Sequence, residues 1–268
     1  MKARSTIAVI NQKGGVGKTT TVINLAASLS ILGQNNLIID LDPQGNATTG
    51  LGKSNNDEDK NIYNLLIKKK SLKEIIQNTG VKNLNVVGSN VNLSGLEVET
   101  ANDSNRAFLL KEILEKEKKI LSQYDNIFID CPPSLSLLTI NAFTAADSLL
   151  IPVQCEFFAM EGLAQLNKTI ELIMSRLNPS LEIEGLLLTM YDSRNNICKT
   201  VAAEIKNFFK EKVLKTFIPK NVKLAEAPSF GKCIFDYDSA CLGAVSYLDL
   251  SKEIILNNGG TFIEKITR

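Results

Sequence analysis

The sequence predicts an α/β fold in which one mostly parallel, twisted sheet is covered by helices on both faces. Short apolar runs alternate with longer amphipathic stretches along the 268 residues. The apolar runs are hydrophobic on both sides, which is typical of strands in a parallel sheet between two layers of helices. No internal repeat and no linker interrupts this pattern, so we expect a single domain over residues 1–268.

The first strand is expected at Ile7–Ile10 and the first helix at Lys18–Leu32, with Gly33 just past the helix end. The other strands are expected at Leu37–Leu41, Leu84–Val87, Ile127–Ile129, Leu149–Val153, Ile183–Leu188 and Val213–Ile218. The other helices are expected at Arg106–Leu121, Leu135–Ala146, Met160–Leu177, Thr200–Phe209 and Gly243–Leu256.

The composition excludes several kinds of chemistry. The chain has no histidine, so Ser–His–Asp triads, His-ligated zinc and His acid–base catalysis are ruled out. None of the five cysteines forms a C-x-x-C pair, and buried reduced thiols in a cytoplasmic protein are expected. No apolar run reaches about 18 residues, so no transmembrane helix is expected.

A glycine-rich loop between the first strand and the first helix is the sharpest feature of the sequence. It comprises Lys13-Gly14-Gly15-Val16-Gly17-Lys18-Thr19-Thr20. Glycines allow a tight turn and a close approach of the backbone to a ligand, and the N–H groups at a helix start attract phosphate. Motif and context together predict a P-loop NTPase.

The side chains of this loop suit a nucleotide and its metal. Lys18 would neutralise the β- and γ-phosphates, the Thr19 hydroxyl would bind Mg²⁺, and Thr20 would contact the α-phosphate. The common pattern G-x-x-x-x-G-K-[ST] is not met in full, because its first glycine falls on Gln12. The motif is the deviant Walker A form, which carries an additional Lys13.

Acidic residues follow two of the predicted strands. Asp40 and Asp42 lie at the end of one strand, and Asp130 lies at the end of another. Ligands bind at this edge of an open α/β sheet. Asp130 is expected to hold Mg²⁺ through water, and Asp42 is a candidate to orient the attacking water. The sequence alone does not separate the roles of Asp40 and Asp42.

Five segments resemble the ParA/Soj branch of the MinD/ParA ATPases, and the resemblance runs from about residue 7 to about residue 254. The segments are QKGGVGKTT (12–20), DLDPQGNATTGLG (40–52), FIDCPPS (128–134), LLLTMYDSRNN (186–196) and FIPKNVKLAEAPSFGK (217–232). The resemblance implies an ATPase that segregates chromosomes or plasmids with ATP and Mg²⁺ as cofactors. The short start before Ile7 resembles the chromosomal type, which lacks an N-terminal helix-turn-helix domain.

The resemblance also implies roles for individual residues. Lys13 would reach across an ATP-dependent sandwich dimer to the partner's phosphates, and Asp42 would assist water attack. Pro219 and Asn221 would lie in the loop that holds the adenine. The dimer would bind double-stranded DNA without sequence preference, and a ParB-like partner would stimulate hydrolysis and release it. The expected location is the cytoplasm, in association with the nucleoid.

A basic segment is a candidate DNA-binding surface; on charge alone a solvated helical face is the alternative that fits it better, and the resemblance favours DNA. Residues 190–232 contain nine basic and four acidic residues, a net charge of +5 against +1 for the whole chain. The candidate DNA contacts are Arg194, Lys199, Lys220 and Lys223. The family often has arginine at the positions of Lys220 and Lys223, and S-H-G-K-P where residues 229–233 read SFGKC. Lysine keeps the charge but loses the planar fork of arginine.

Three alternative functions fit a phosphate loop of this kind, and a MinD-like regulator is the first of them. A MinD-like, membrane-cycling regulator would need a basic amphipathic C-terminal helix, and residues 257–268 contain two glycines and few bulky apolar residues, so no membrane contact is expected. An electron-transfer ATPase would need a cluster bound by two suitably placed cysteines, a pattern that Cys131 and Cys155 do not fit. A nucleotide-binding scaffold without hydrolysis is the third.

Overall fold

The computed structural model describes residues 5–261. Its strands form one seven-stranded sheet in the order β3-β4-β2-β5-β1-β6-β7. They are β1 (Ser5–Val9), β2 (Asn36–Asp40), β3 (Gln77–Asn78), β4 (Leu84–Val87), β5 (Asn126–Asp130), β6 (Ser148–Gln154) and β7 (Glu182–Thr189). All neighbours pair in parallel except β3, a two-residue edge strand antiparallel to β4. The predicted α/β fold is confirmed.

The α-helices of the described residues connect the strands and cover the sheet. They are α1 (Lys18–Ile31), α2 (Asn46–Gly50), α3 (Ile62–Leu66), α4 (Leu72–Ile75), α5 (Leu96–Glu99), α6 (Leu109–Lys116), α7 (Lys118–Leu121), α8 (Leu137–Ala145), α9 (Ala159–Arg176), α10 (Asn196–Phe209), α11 (Val222–Glu226), α12 (Ile234–Asp238) and α13 (Leu242–Asn257). Short 3₁₀ turns lie at Val91–Gly95, Arg106–Phe108, Lys210–Lys212 and Ala227–Phe230.

Successive residues of the central strand β1 pack into different hydrophobic cores. Ile7 and Val9 join the core that α1 and α13 cover, whereas Ala8 joins the core that includes residues of α6, α8, α9 and α10. Strand side chains alternate between the two faces of a sheet, so a strand that is buried throughout must be covered on both faces. The predicted helical layers on both faces are therefore confirmed.

The prediction of a strand at Val213–Ile218 is wrong. This segment meets β7 only at single points, where the Leu214 N–H donates to Leu186 O and the Ile218 N–H donates to Leu188 O. Between them, the N–H groups of Lys215 and Thr216 donate to the two carboxylate oxygens of Glu253 on α13, at 2.7 and 2.8 Å. A side chain thus takes the hydrogen bonds that a strand ladder would need.

The predicted helix Arg106–Leu121 is also divided, into a 3₁₀ turn, α6 and α7, with the break at Glu117. The other predicted strands and helices are confirmed, with ends that differ by up to four residues.

The expectation of no membrane contact depends on residues 257–268, of which 262–268 lie outside the described part of the chain. The short start, Met1–Arg4, also lies outside it. Within residues 5–261, no helix is both long enough and apolar enough to cross a membrane.

Candidate nucleotide site

The glycine-rich loop joins β1 to α1 at the carboxyl edge of the sheet, as the sequence predicted. Gly15 and Gly17 have φ angles of 76° and 88°, a left-handed conformation that favours glycine. Gly17 caps the start of α1. The Thr189 hydroxyl at the end of β7 donates to Val16 O at 2.8 Å and fixes the loop from the side.

Two neighbouring cavities open beside this loop. The larger, about 620 Å³, is lined by Gly14, Gly15, Gly17, Lys18, Thr19, Thr20, Asp42, Gln44, Asn46, Thr49, Pro133, Met190, Pro228 and Ser229. The second, about 280 Å³ and mostly apolar, is lined by Gly17, Thr20, Thr189, Met190, Ile218, Pro219, Lys220, Asn221, Val222, Leu224, Ala225 and Tyr247. We call the larger the polar cavity and the second the apolar cavity. They adjoin, because both are lined by Gly17, Thr20 and Met190.

Lys18 is buried at the floor of the polar cavity, where its Nζ donates to Lys13 O at 3.2 Å. Burial lowers the pKa of Lys18, and the nearby Asp130, Cys131 and Asp42 oppose this by raising it. Within residues 5–261 this buried ammonium has a neutral carbonyl as its hydrogen-bond partner, so it retains attraction for an anion. Lys18 is therefore placed to receive a phosphate group.

Thr19 and Asp130 meet at the other side of the loop. The Thr19 hydroxyl donates to Asp130 Oδ2 at 2.8 Å. Asp130 Oδ1 is buried and has no hydrogen-bond partner within residues 5–261. Burial raises the pKa of Asp130 well above its ordinary value, and the neighbouring Asp40 raises it further. A hydroxyl beside an unpartnered carboxylate oxygen is a donor set that suits Mg²⁺, which prefers oxygen ligands.

The structure separates Asp40 from Asp42. Asp40 is fully buried and accepts hydrogen bonds at both oxygens, from Thr48 and from the Asp42 N–H. Burial raises its pKa to about 6. Asp42 lines the polar cavity, and its Oδ1 accepts from the Gln44 N–H at 3.0 Å. Only Asp42 therefore faces the space that a ligand would occupy.

Lys13 does not line either cavity formed by its own loop. Its Nζ instead lies 2.5 Å from Glu156 Oε2, just past the end of β6. No motif in the sequence marks Glu156, whose position beside the loop follows only from the neighbouring placement of β1 and β6.

Pro219 and Asn221 lie in the wall of the apolar cavity. The Asn221 side chain also caps α11 by accepting from the Lys223 N–H at 2.9 Å. Sequence reasoning missed two other residues of this wall, Met190 and Tyr247. Met190 has a φ of 48°, an uncommon conformation for a residue other than glycine.

Of the four basic residues proposed for DNA, Lys220 lies in the wall of the apolar cavity. The Arg194 guanidinium pairs with Asp192 at 3.0 Å, and Lys223 Nζ lies 3.3 Å from Glu226. Lys199 and Lys220 are exposed. The Lys220 backbone lies beside the segment that carries Asp192 and Arg194, because its N–H donates to Tyr191 O at 3.3 Å.

The similarity to known proteins is consistent with this site. A family model described as AAA domain matches residues 4–183. The chain is 51% identical over 251 residues to the sporulation initiation inhibitor protein Soj of Bacillus subtilis, a match that covers 94% of the chain and 98% of Soj. It is 49% identical over 249 residues to the chromosome partitioning protein ParA of Myxococcus xanthus, which covers 93% of the chain and 87% of ParA. The chain belongs to the ParA/Soj family.

This ParA/Soj family member also resembles solved structures over its whole length. One is cobyrinic acid a,c-diamide synthase from Mycobacterium smegmatis with bound ATP analogue and magnesium. The TM-score is 0.85 at 30% identity, and the match covers 99% of this chain and 100% of the synthase. The family resemblance drawn from the sequence is thus confirmed.

Proposed function

We propose that this chain is an ATP-dependent DNA-segregation ATPase, which hydrolyses ATP to ADP and phosphate during chromosome or plasmid partitioning. Two features of the phosphate loop carry the proposal. The Thr19 hydroxyl donates to one oxygen of Asp130, whose other oxygen has no hydrogen-bond partner within residues 5–261. The Lys13 side chain lies outside the cavity of its own loop and pairs with Glu156. The first relationship suits Mg²⁺ and a nucleotide, and the second suits action on another subunit. The names of the relatives Soj and ParA support partitioning as the process.

In this proposal the polar cavity holds the triphosphate of ATP and the apolar cavity holds the adenine. The phosphates are bound by the loop backbone and by Lys18, Thr19 and Thr20. The remaining loop contacts are the backbone groups of Gly14, Gly15, Val16 and Gly17. Pro219 and Asn221 border the base. A mostly apolar wall beside a polar, glycine-rich loop matches the two halves of a nucleotide.

Thr19 and Asp130 would hold Mg²⁺, Thr19 directly and Asp130 through water. The metal would neutralise charge that develops on the phosphates. Asp42 would position the attacking water, because its carboxylate lines the cavity while that of Asp40 is occupied elsewhere. The catalytic set is therefore Lys13, Lys18 and Asp42.

ATP would drive a sandwich homodimer in which Lys13 reaches the partner's phosphates. A lysine in this position acts like an arginine finger, which contributes on the order of 10³-fold or more to phosphoryl transfer. The dimer would bind double-stranded DNA of the nucleoid, in the cytoplasm, without sequence preference. A ParB-like centromere-binding protein would stimulate hydrolysis and release the dimer.

DNA would be bound by Arg194, Lys199, Lys220 and Lys223. Arg194 and Lys223 have carboxylate partners in the monomer, and each would exchange that partner for a phosphate. Exposed ion pairs are weak because water screens them, so the exchange costs little. A monomer offers few phosphate contacts and a dimer doubles them, which makes DNA binding dependent on ATP.

The experiment is to measure phosphate release from ATP, with and without duplex DNA and a ParB-like protein, alongside pelleting with liposomes. We expect slow hydrolysis that increases when both are present, and no pelleting. Binding of ATP without hydrolysis would indicate a scaffold instead, and ATP-dependent pelleting would indicate the MinD-like alternative.

A further inference from the structure

Lys13 is held in place through contacts of both its backbone and its side chain. The Lys13 N–H donates to Asn11 Oδ1 at 3.0 Å, and the Asn11 amide donates to Pro152 O on β6 at 2.8 Å. The Lys13 ammonium contacts Glu156 Oε2 at 2.5 Å. The other oxygen of this carboxylate accepts from the Gln154 side chain. Lys13 is thus attached to the end of β6, outside its own cavity.

We propose that Glu156 is a positioning residue that retains Lys13 on its own subunit and so opposes formation of the ATP dimer. The inference rests on the proposed function, in which Lys13 crosses to the partner's phosphates. The ammonium cannot contact Glu156 at 2.5 Å and also reach another subunit. Each subunit must therefore break this ion pair before the dimer is complete.

The exposure of the pair indicates a weak, reversible restraint. The side chains of Lys13 and Glu156 are 42% and 49% exposed. Water screens charges at such positions, so a partly exposed ion pair contributes little to stability. A phosphate in a closed, water-excluded site attracts an ammonium more strongly than this carboxylate does. The pair therefore adjusts the affinity of the dimer and does not prevent its formation.

The contact between Lys18 and the Lys13 carbonyl connects this restraint to the nucleotide. Lys18 Nζ donates to Lys13 O at 3.2 Å, a neutral acceptor that a phosphate would replace. Loss of that bond removes one hold on the Lys13 backbone and leaves the bond from its N–H to Asn11 Oδ1. Gly14 and Gly15 follow immediately, and a Cβ added at either would meet no described residue within 4 Å other than its chain neighbours, so the space beside them is open. The Lys13 side chain is still paired with Glu156 when ATP binds, and this ion pair must break separately.

The test is Glu156→Gln, which removes the charge and keeps the size of the side chain. Dimerisation would be measured by light scattering against protein concentration with a non-hydrolysable ATP analogue. Because a dimer contains two such pairs, we expect dimerisation to be about two- to thirtyfold tighter than in the wild type. In ATPase assays the protein concentration at half-maximal rate should fall by the same factor, while the plateau rate per site stays the same.

Two further variants make the result specific. Glu161→Gln removes an exposed acid five residues away on α9 and should leave dimerisation unchanged. The double variant K13A/E156Q should lack the gain in dimer affinity and should dimerise as poorly as Lys13→Ala.

Equal or weaker dimerisation of Glu156→Gln, or a gain that persists without Lys13, would overturn the role of Glu156. A wild type that stays monomeric with the bound analogue would instead overturn the proposed function, and this inference with it.

Discussion

The Thr48 hydroxyl donates a 2.6 Å hydrogen bond to Asp40 Oδ2, and the Thr48 N–H donates to the same oxygen at 2.8 Å. The Asp42 N–H donates to the other oxygen at 3.2 Å. These bonds connect the end of β2 to α2 and leave Asp40 fully buried. Asp40 therefore stabilises the segment that carries Asp42, which faces the cavity.

The two acids should respond differently to removal. Asp42→Ala should reduce ATP hydrolysis by about 10²–10⁴-fold, the usual contribution of a positioned acid–base group, with little change in stability. Asp40→Ala leaves buried donors of Thr48 unpaired and should lower the free energy of unfolding by about 1–3 kcal/mol or more. Phosphate release and chemical denaturation measure the two effects. If the Asp40→Ala variant were stable but hydrolysed no ATP, and the Asp42→Ala variant were fully active, Asp40 and not Asp42 would be the residue that positions the water.

The raised pKa of Asp40 predicts a pH effect on the nucleotide-free protein. Its folded pKa of about 6 exceeds the ordinary value of 3.8, so the folded state binds its proton more tightly than the unfolded state. The resulting stability is fully present below about pH 4 and is lost as the pH rises through 6, by on the order of 1–3 kcal/mol.

The measurement is the free energy of unfolding at pH 4.5 and pH 7 for the wild type and for Asp40→Asn. The difference between the two pH values should be smaller in the variant, which cannot titrate at this position. Asp130 also has a raised pKa, and Asp40 raises it further, so the variant loses the titration of Asp40 and part of the shift at Asp130, and both losses reduce the pH dependence. Identical pH dependence would contradict the assignment.

Lys18→Ala should abolish tight ATP binding. It removes the buried ammonium that would face the phosphates in the proposed function, and loss of one member of a buried charged pair costs about 2–5 kcal/mol, a factor of about 30 or more in affinity. Isothermal titration calorimetry measures this directly. Lys73→Ala, which removes an exposed lysine of α4, is the control. Unchanged affinity in Lys18→Ala would count against a phosphate site at this loop.

Changing Lys220 and Lys223 to Glu should weaken DNA binding on every sequence, and because Lys220 also lines the apolar cavity, ATP-dependent dimerisation of the variant is measured alongside. The slope of log K against log salt should become shallower by about 1 for each phosphate that the variant no longer neutralises. Lys223 is already partly neutralised by Glu226, so the change at Lys220 should have the larger effect.

The measurement is a salt titration of duplex binding, with and without a non-hydrolysable ATP analogue. Lys68 and Lys69 are exposed lysines outside the proposed DNA surface, and their double change to Glu is the charge-matched control. Equal affinity with and without the analogue would contradict an ATP-dependent switch, and a strong preference for one sequence would indicate a repressor.

The local sequence pattern predicted most of this fold because its strands are buried on both faces and helices such as α9 and α10 are amphipathic. It failed where a distant side chain competes with the backbone, as Glu253 does at Lys215 and Thr216. It also missed short helices such as α2 and α3, at five residues each. Helices of this length depend on tertiary packing more than on their own sequence.

The phosphate half of the site could be predicted because its residues are adjacent in the chain and form a motif. The partners of these residues could not be predicted, since Glu156 and Thr189 reach the loop only through the order of strands in the sheet. The distinction between Asp40 and Asp42 likewise depends on Thr48, which lies eight residues after Asp40. The sequence pattern does not indicate that Thr48 binds Asp40.

The bonds from Glu253 also bear on the order in which the site forms during synthesis. Glu253 lies on α13, the C-terminal helix of residues 5–261, and holds the backbone that leads into Ile218 and Pro219. Tyr247 of the same helix lines the apolar cavity. Chains grow from the N-terminus. In the proposed function, a nascent chain therefore has its phosphate loop long before the apolar cavity proposed for the adenine is complete, because Tyr247 of α13 forms part of the wall of that cavity.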